Sequence, residues 1–320
     1  MDKTYALGTL THAGRSFPAL IAGEVAWDLS ALPGGEGFRS ILDIFAAWPT
    51  SARWLDGLAA NLPDTHIRVA DAQVEAPIAP RQIFCTGANY RQHVIDLTLK
   101  QPDPSTEGMT PEQRRDHVAE MMDRRAATGV PYAFIKLPSA IAAPYGQIIL
   151  PAGVTEPDWE LELGVVIGRG GKSIQRRDAL DHVGGYVVVN DITARDRIYR
   201  HDMKAIGTDW LASKNSATFL PMGPWIVPAR FVVDPQALQI TLRLNDQVMQ
   251  NETTADMIFD VARQIEYISS MVALLPGDVI CTGSPAGNGT HYQRFLRPGD
   301  VVEGTITGLG TQRLICVAEG

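Results

Sequence analysis

From residue 131 to its end the chain is a succession of short apolar runs separated by glycine and proline: YAFIK, QIILP, ELELGVVIG, GGYVVVNDI, GPWIV, LQITLRLN, GDVICTG, DVVEGTIT and RLICVA. Runs of strand length between turn residues fold as packed sheets or a rolled barrel, and the lack of a helix between most of them excludes a regular β–α–β alternation. One helix does interrupt the series. Ile258, Val261, Ile265, Ile268 and Val272 fall on one helical face, Thr253 and Asp256 have capping-box spacing, and Pro276-Gly277 supplies a stop. The fold class this predicts is α+β, mostly β.

Residues 1–78 read as a small N-terminal α/β domain. Short strands over 3–30 break at Ala13-Gly14 and Gly23-Glu24. A helix carries Ile41, Leu42, Ile44, Phe45 and Trp48 until Pro49, and a second carries Trp54, Leu55 and Leu58. Pro77 and Pro80 stiffen the stretch VEAPIAPRQI, which marks the boundary with a main domain over 79–320. The first 75 positions hold no cluster of titratable residues, so packing or dimerisation is the role expected of them. In a charged insert over 101–130, Thr110, Pro111 and Gln113 are placed to start a helix. Its Arg and Glu residues read as a solvated face.

Composition narrows the partners. The 320 residues carry 28 Lys and Arg against 36 Asp and Glu, a formal charge of −8, whereas a phosphate backbone demands a basic face. Nucleic acid and anionic membranes are therefore not expected partners. The opening MDKTYALGTLTHAG lacks the apolar core of a secretion signal, and no run approaches the ~18 apolar residues of a membrane span. Cys85, Cys281 and Cys316 lie far apart with no CxxC pair, as expected of buried thiols in a reducing compartment, so the expected location is the cytoplasm.

Three common chemistries fail on spacing. Gly168-Arg169-Gly170-Gly171-Lys172-Ser173 imitates a phosphate loop, but the position that must be glycine is Val166 and no convincing helix follows. Thr282-Gly283-Ser284-Pro285-Ala286 is not GxSxG, and Pro285 would occupy the first turn of the elbow helix. No two histidines have zinc spacing.

One constellation survives. Glu160 and Glu162 sit two apart in WELELGVVI, and on a strand such residues share a face while Trp159, Leu161, Leu163 and Val165 take the other. Two adjacent carboxylates in so apolar a run either face solvent or face a cation, because burying like charges together is costly. Asp191 ends the apolar strand GGYVVVND, and a third acid at a strand end favours the cation. Hard oxygen ligands suit Mg²⁺, Mn²⁺ or Ca²⁺. Arg195, four residues further on, could hold a substrate carboxylate.

These residues carry a family resemblance. GANYRQH (87–93), the ELELGVVIG acid pair, GGYVVVNDITARD (184–196), LASKNSAT (211–218), TADMIFDVARQIEYIS (254–269) and LLPGDVICTGSPAGNG (274–289) occur in the order found in the fumarylacetoacetate hydrolase family, which the chain resembles from about residue 81 onward. The resemblance implies a mixed β-sandwich roll, a homodimer, and Mg²⁺ or a similar ion on Glu160, Glu162 and Asp191. It makes Arg195, Lys214 and Ser284, with Tyr90 beside them, candidates to hold substrate oxygens. It also makes His93 the general base, paired with Asp96 three residues later. Many relatives have Glu in place of Asp96, and many have Gln where this chain has Ile198.

The activity implied is hydrolytic carbon–carbon cleavage of a small anionic diketo acid, an acylpyruvate such as fumarylpyruvate. The ion would chelate the carboxylate and 2-oxo group, His93 would deprotonate water, and Lys214 would stabilise the oxyanion. Decarboxylation, hydration or isomerisation on the same platform, and non-catalytic binding of a 2-oxo acid, are the alternatives.

Overall fold

The computed structural model describes residues 4–100, 103–203, 205 and 207–320. Two sheets form the main body. The first has six strands in the order Val227–Pro228, Val183–Asn190, Leu161–Ile167, Val279–Cys281, Ile83–Gly87 and Tyr132–Lys136. All its neighbours are antiparallel except Val279–Cys281 and Ile83–Gly87, which run parallel. The second has five, in the order Gln247–Thr253, Gln239–Leu244, Val301–Ile306, Gly310–Ala318 and Gln147–Leu150. Mixed pairing in packed sheets bears out the α+β, strand-rich reading.

The second sheet backs the strands that carry the acids. Leu161 packs on Gly304, where a Cβ would come within 2.5 Å of Leu161 Cδ1. Gln312 donates to Val188 O at 2.9 Å and Gln250 Oε1 accepts from Leu161 N at 3.2 Å. Leu161–Ile167 and Val183–Asn190 are consequently buried along their whole length. Alternation in WELELGVVI thus separates an apolar core from a polar cavity, and neither face meets bulk water.

A third sheet, all antiparallel, uses the N-terminal residues: Ile67–Arg68, Val25–Asp28, Arg15–Ala22, Ala6–His12 and Gln73–Val74. With helices Ile41–Ala46 and Thr50–Ala60 it docks on the main body through a stacked pair, Phe45 and Trp48, whose ring centroids lie 5.0 Å apart. Glycines make room for them. A Cβ at Gly184 would sit 2.5 Å from Phe45, and one at Gly168 would sit 2.7 Å from Trp48. The apolar side chains of both parts join one contiguous core. In the false phosphate loop the amides of Gly168 and Gly171 are taken up by the fold, Gly168 N–H donating to His182 O and Gly171 N–H to Leu274 O.

The helix expected from Thr253 begins later. It runs Val261–Met271, capped by Asp260, whose carboxylate accepts from Arg263 N–H at 2.7 Å. Thr254–Asp256 is a 3-10 turn, and Val272 lies beyond the helix in extended backbone. Asp256 caps a different helix: it accepts from Gln92 N–H at 2.8 Å, at the start of Arg91–Leu99. The insert forms the expected helix, Pro111–Thr128, with reciprocal bonds between Thr110 and Gln113; positions 101 and 102 lie outside the described residues. Val118 and Met122 of that helix join Ile95, Ile258 and Phe259 in a separate small core. Among the described residues no helix is long and apolar enough to cross a membrane.

Candidate metal centre and its cavity

Glu160 and Glu162 enter from the start of Leu161–Ile167, and Asp191 from the end of the paired strand Val183–Asn190. Antiparallel register opposes Leu161 to Asn190, which brings the two strand ends together. One carboxylate oxygen from each acid lies within 4.8 Å of the others, and all three residues are buried. A cluster of hard oxygens at this spacing is a donor set for a dication, and its burial excludes the solvent-facing alternative.

Three cations neighbour the acids. Lys214 donates to Glu160 Oε2 at 2.6 Å and also to Asp191. Lys136, wholly buried, donates to Asp191 and to Ile192 O. Arg195 lies between Asp158, at 2.8 Å, and Glu160. Burial would raise the Glu160 carboxyl, but Arg195 and Lys214 overcome it and hold that group well below the usual range. Burial likewise opposes the charge on Lys214, and Asp191 and Glu160 more than restore it.

Glu162 differs. Its Oε2 accepts the backbone N–H of Gly283 at 2.8 Å. Burial, reinforced by Asp191 and Glu160, pushes its carboxyl well above the usual range. A buried acid raised by its like-charged neighbours is relieved by a positive ion among the three. The residues therefore fit a divalent metal.

The cavity over this cluster holds about 290 Å³. His93, Arg195, Lys214 and Ser284 line it together with the three acids. His93 is only 8% exposed, and burial, with help from Arg195, His291 and Lys100, lowers its imidazole to about 4. It is thus neutral at physiological pH and free to accept a proton. Ser284 Oγ accepts from Gln250 Nε2 at 3.0 Å.

Two expected residues lie elsewhere. Tyr90 is fully buried at the N-cap of Arg91–Leu99 and is not part of the cavity wall. Asp96 also lies off the cavity; it accepts from Gln92 Nε2 at 2.7 Å and sits 3.7 Å from Arg115 of the insert helix. Conversely, sequence reasoning passed over Lys136 and Asp158. Asp158 is buried beneath Arg195 and accepts from Gly289 N–H and, at 3.1 Å, from Thr290 Oγ1. A lysine closing the apolar strand YAFIK, and an acid two residues before Glu160, were the available signals.

The family model described as fumarylacetoacetate (FAA) hydrolase C-terminal matches residues 82–315. The chain is 37% identical over 238 residues to a mitochondrial oxaloacetate tautomerase of Xenopus laevis, a match covering 73% of this chain and 65% of that protein. It is also 37% identical over 235 residues to the 2,4-didehydro-3-deoxy-L-rhamnonate hydrolase of Sphingomonas sp. (strain SKA58), covering 72% of each. A solved 2-hydroxyhepta-2,4-diene-1,7-dioate isomerase from Mycobacterium marinum is similar with a TM-score of 0.70 and 30% identity, covering 99% of this chain and 100% of that one.

Proposed function

The chain belongs to the fumarylacetoacetate hydrolase family of enzymes, and on that premise we propose that it hydrolyses the carbon–carbon bond of an acylpyruvate or related 2,4-dioxo acid, with Mg²⁺ as its ion. The observation that carries this reading is the position of a neutral, buried His93 in the same cavity as the carboxylate cluster, the buried Lys214 and the partly buried Arg195. Glu160, Glu162 and Asp191 would hold a hard dication, which when bound would supply Lewis acidity toward the substrate's carboxylate and 2-oxo group.

The remaining work falls to side chains. His93 takes a proton from water as its oxygen bonds to the distal carbonyl carbon. The resulting oxyanion collapses, and the carbon–carbon bond breaks with its electron pair passing to the pyruvate side as an enolate. The acyl group leaves as a carboxylic acid, and protonated His93 returns its proton to the enolate carbon. Lys214 Nζ and the Arg195 guanidinium, fixed beforehand by Glu160 and Asp158, favour the negative charge that develops on oxygen. Lys136 and Gly283 N–H hold Asp191 and Glu162 in place. Asp96 joins this set as a brace on the His93 helix through Arg115.

Incubation with acetylpyruvate and Mg²⁺ tests the reading: acetate and pyruvate should form, and a chelator should stop their formation. No cleavage across a panel of acylpyruvates would refute it. The second reading, keto–enol tautomerisation of a 2-oxo acid, is supported by the name of the frog relative; loss of the enol form of oxaloacetate without cleavage products would favour it. A homodimer is part of the proposal, supported by the exposed Ile135 of the edge strand Tyr132–Lys136 and the exposed Leu137 just beyond it, and equilibrium sedimentation tests it.

A further inference from the structure

We propose that the cavity selects 2-oxo acids whose far end is an uncharged aromatic group, with Phe134 and Trp210 as the specificity-determining pair. This rests on the 2-oxo acid reading above and narrows it, away from diacids such as fumarylpyruvate and oxaloacetate.

Two elements approach the carboxylates with the same layout. On the strand Tyr132–Lys136, residues two apart share a face and lie ~7 Å apart. Lys136 is bonded to Asp191 at the inner end, Phe134 comes next, and Tyr132 stands at the outer end. Exposure rises in that order, from a buried Lys136 to a Tyr132 that is 43% exposed. On the helix Trp210–Lys214 the first and last residues are four apart and share a face. Lys214 binds the acids, and Trp210 lies a turn away.

The two elements meet through their aromatic rings. Phe134 and Trp210 stack with centroids 4.8 Å apart and planes at 16°. Lys214 Nζ lies 5.1 Å from the centroid of Phe134, so the ring begins where the charged floor ends. Leu97 and Ile198 add apolar surface to the same cavity. A substrate whose carboxylate lies over the cluster extends its far end along the rings of Phe134 and Trp210.

Charge gives an independent argument. Asp158, Glu160, Glu162 and Asp191, when ionised, face Lys136, Lys214 and Arg195, leaving one net negative charge. A dication turns this into one positive charge, and a single substrate carboxylate neutralises it. A second carboxylate has no such counterpart. Among the described residues lining the cavity the cations are Arg195 and Lys214, and both are bonded to acids of the site. An anionic tail buried against apolar walls would be desolvated without a partner.

Calorimetric titration of the full chain with Mg²⁺, using phenylpyruvate and 2-oxoglutarate as probes, tests this without requiring turnover. The two share the 2-oxo acid head and differ in an aromatic against a carboxylate tail. Phenylpyruvate should bind about tenfold tighter, the scale of one aromatic contact. Equal binding, or tighter 2-oxoglutarate, overturns the specificity and leaves the 2-oxo acid reading standing; failure of both to bind overturns that reading as well. In Trp210→Ala, and separately in Phe134→Leu, the preference should fall to within about twofold. A preference unchanged in both folded variants overturns the assignment to this pair.

Discussion

The backbone N–H of Gly283 points at Glu162 Oε2 from 2.8 Å, which ties the orientation of one acid of the cluster to a turn more than a hundred residues away. Gly283 has φ +97°, and a Cβ there would meet Thr86 O and Asn89 Cβ at 2.9 Å. Gly283→Ala should therefore displace this amide. Supporting contacts of this kind govern metal affinity by ~10–100-fold, and a loss of about tenfold in Mg²⁺ affinity by titration calorimetry is the expected result. Unchanged affinity would mean the turn does not orient Glu162.

His93→Ala should lower hydrolysis by ~10²–10⁴-fold, the range of general-base catalysis. Mg²⁺ affinity should stay within about twofold of the parent, because the ligand set is untouched. Measuring both on the same preparation separates a base from a structural histidine. Full turnover without the imidazole would end its assignment as the base.

The same residue gives a pH dependence of stability. Burial holds His93 at about 4, below the ~6.5 of an unfolded chain, so the folded state binds fewer protons between those values. Its contribution to stability is complete above pH ~6.5 and declines as pH falls toward about 4, by up to about 3 kcal/mol. Urea denaturation at pH 7 and pH 5 should show a smaller loss in His93→Ala than in the parent. Identical losses would place the acid sensitivity elsewhere.

Lys136 and Asp191 form a buried ion pair beneath the cavity. Lys136→Met leaves that side of the aspartate uncompensated, which costs ~3–5 kcal/mol when one partner of a buried pair is removed. Added Mg²⁺ should restore part of this by supplying positive charge at the same carboxylate. A denaturation midpoint unmoved by either change would contradict the pairing.

Gly184→Ala should destabilise by ~1–3 kcal/mol through overpacking, since the added methyl meets the Phe45 ring at 2.5 Å. Thermal denaturation reads this directly. The companion change Phe45→Leu should reduce the cost, a coupling that double-mutant analysis detects.

Much of the site was legible because its signals are local. Glu160 and Glu162 needed only strand periodicity, and Asp191 only the end of an apolar run. The start of Pro111–Thr128 followed from Thr110 and Gln113, whose capping bonds span three residues. Legibility ended where a partner was distant in sequence. Thr253 and Asp256 have the spacing of a cap, yet Asp256 bonds Gln92, 164 residues away, and Asp260 starts the helix instead. Lys136 was passed over at the end of YAFIK, because its partner Asp191 stands 55 residues further along. Asp96 has the spacing of a dyad partner for His93, but its Oδ1 faces Gln92 and Arg115 instead.

By itself, then, the sequence determined the strand-rich class, the main elements and the three acids, since apolar periodicity and turn residues act over a few positions. Tertiary structure alone decided that those acids are buried rather than solvated, which cations face them, and that a stacked phenylalanine and tryptophan wall the cavity. The physical reason is range. Burial and ion pairing depend on which surfaces the folded sheets bring together, and strand pairing between Val183–Asn190 and Leu161–Ile167 is what closes the acids into one cluster.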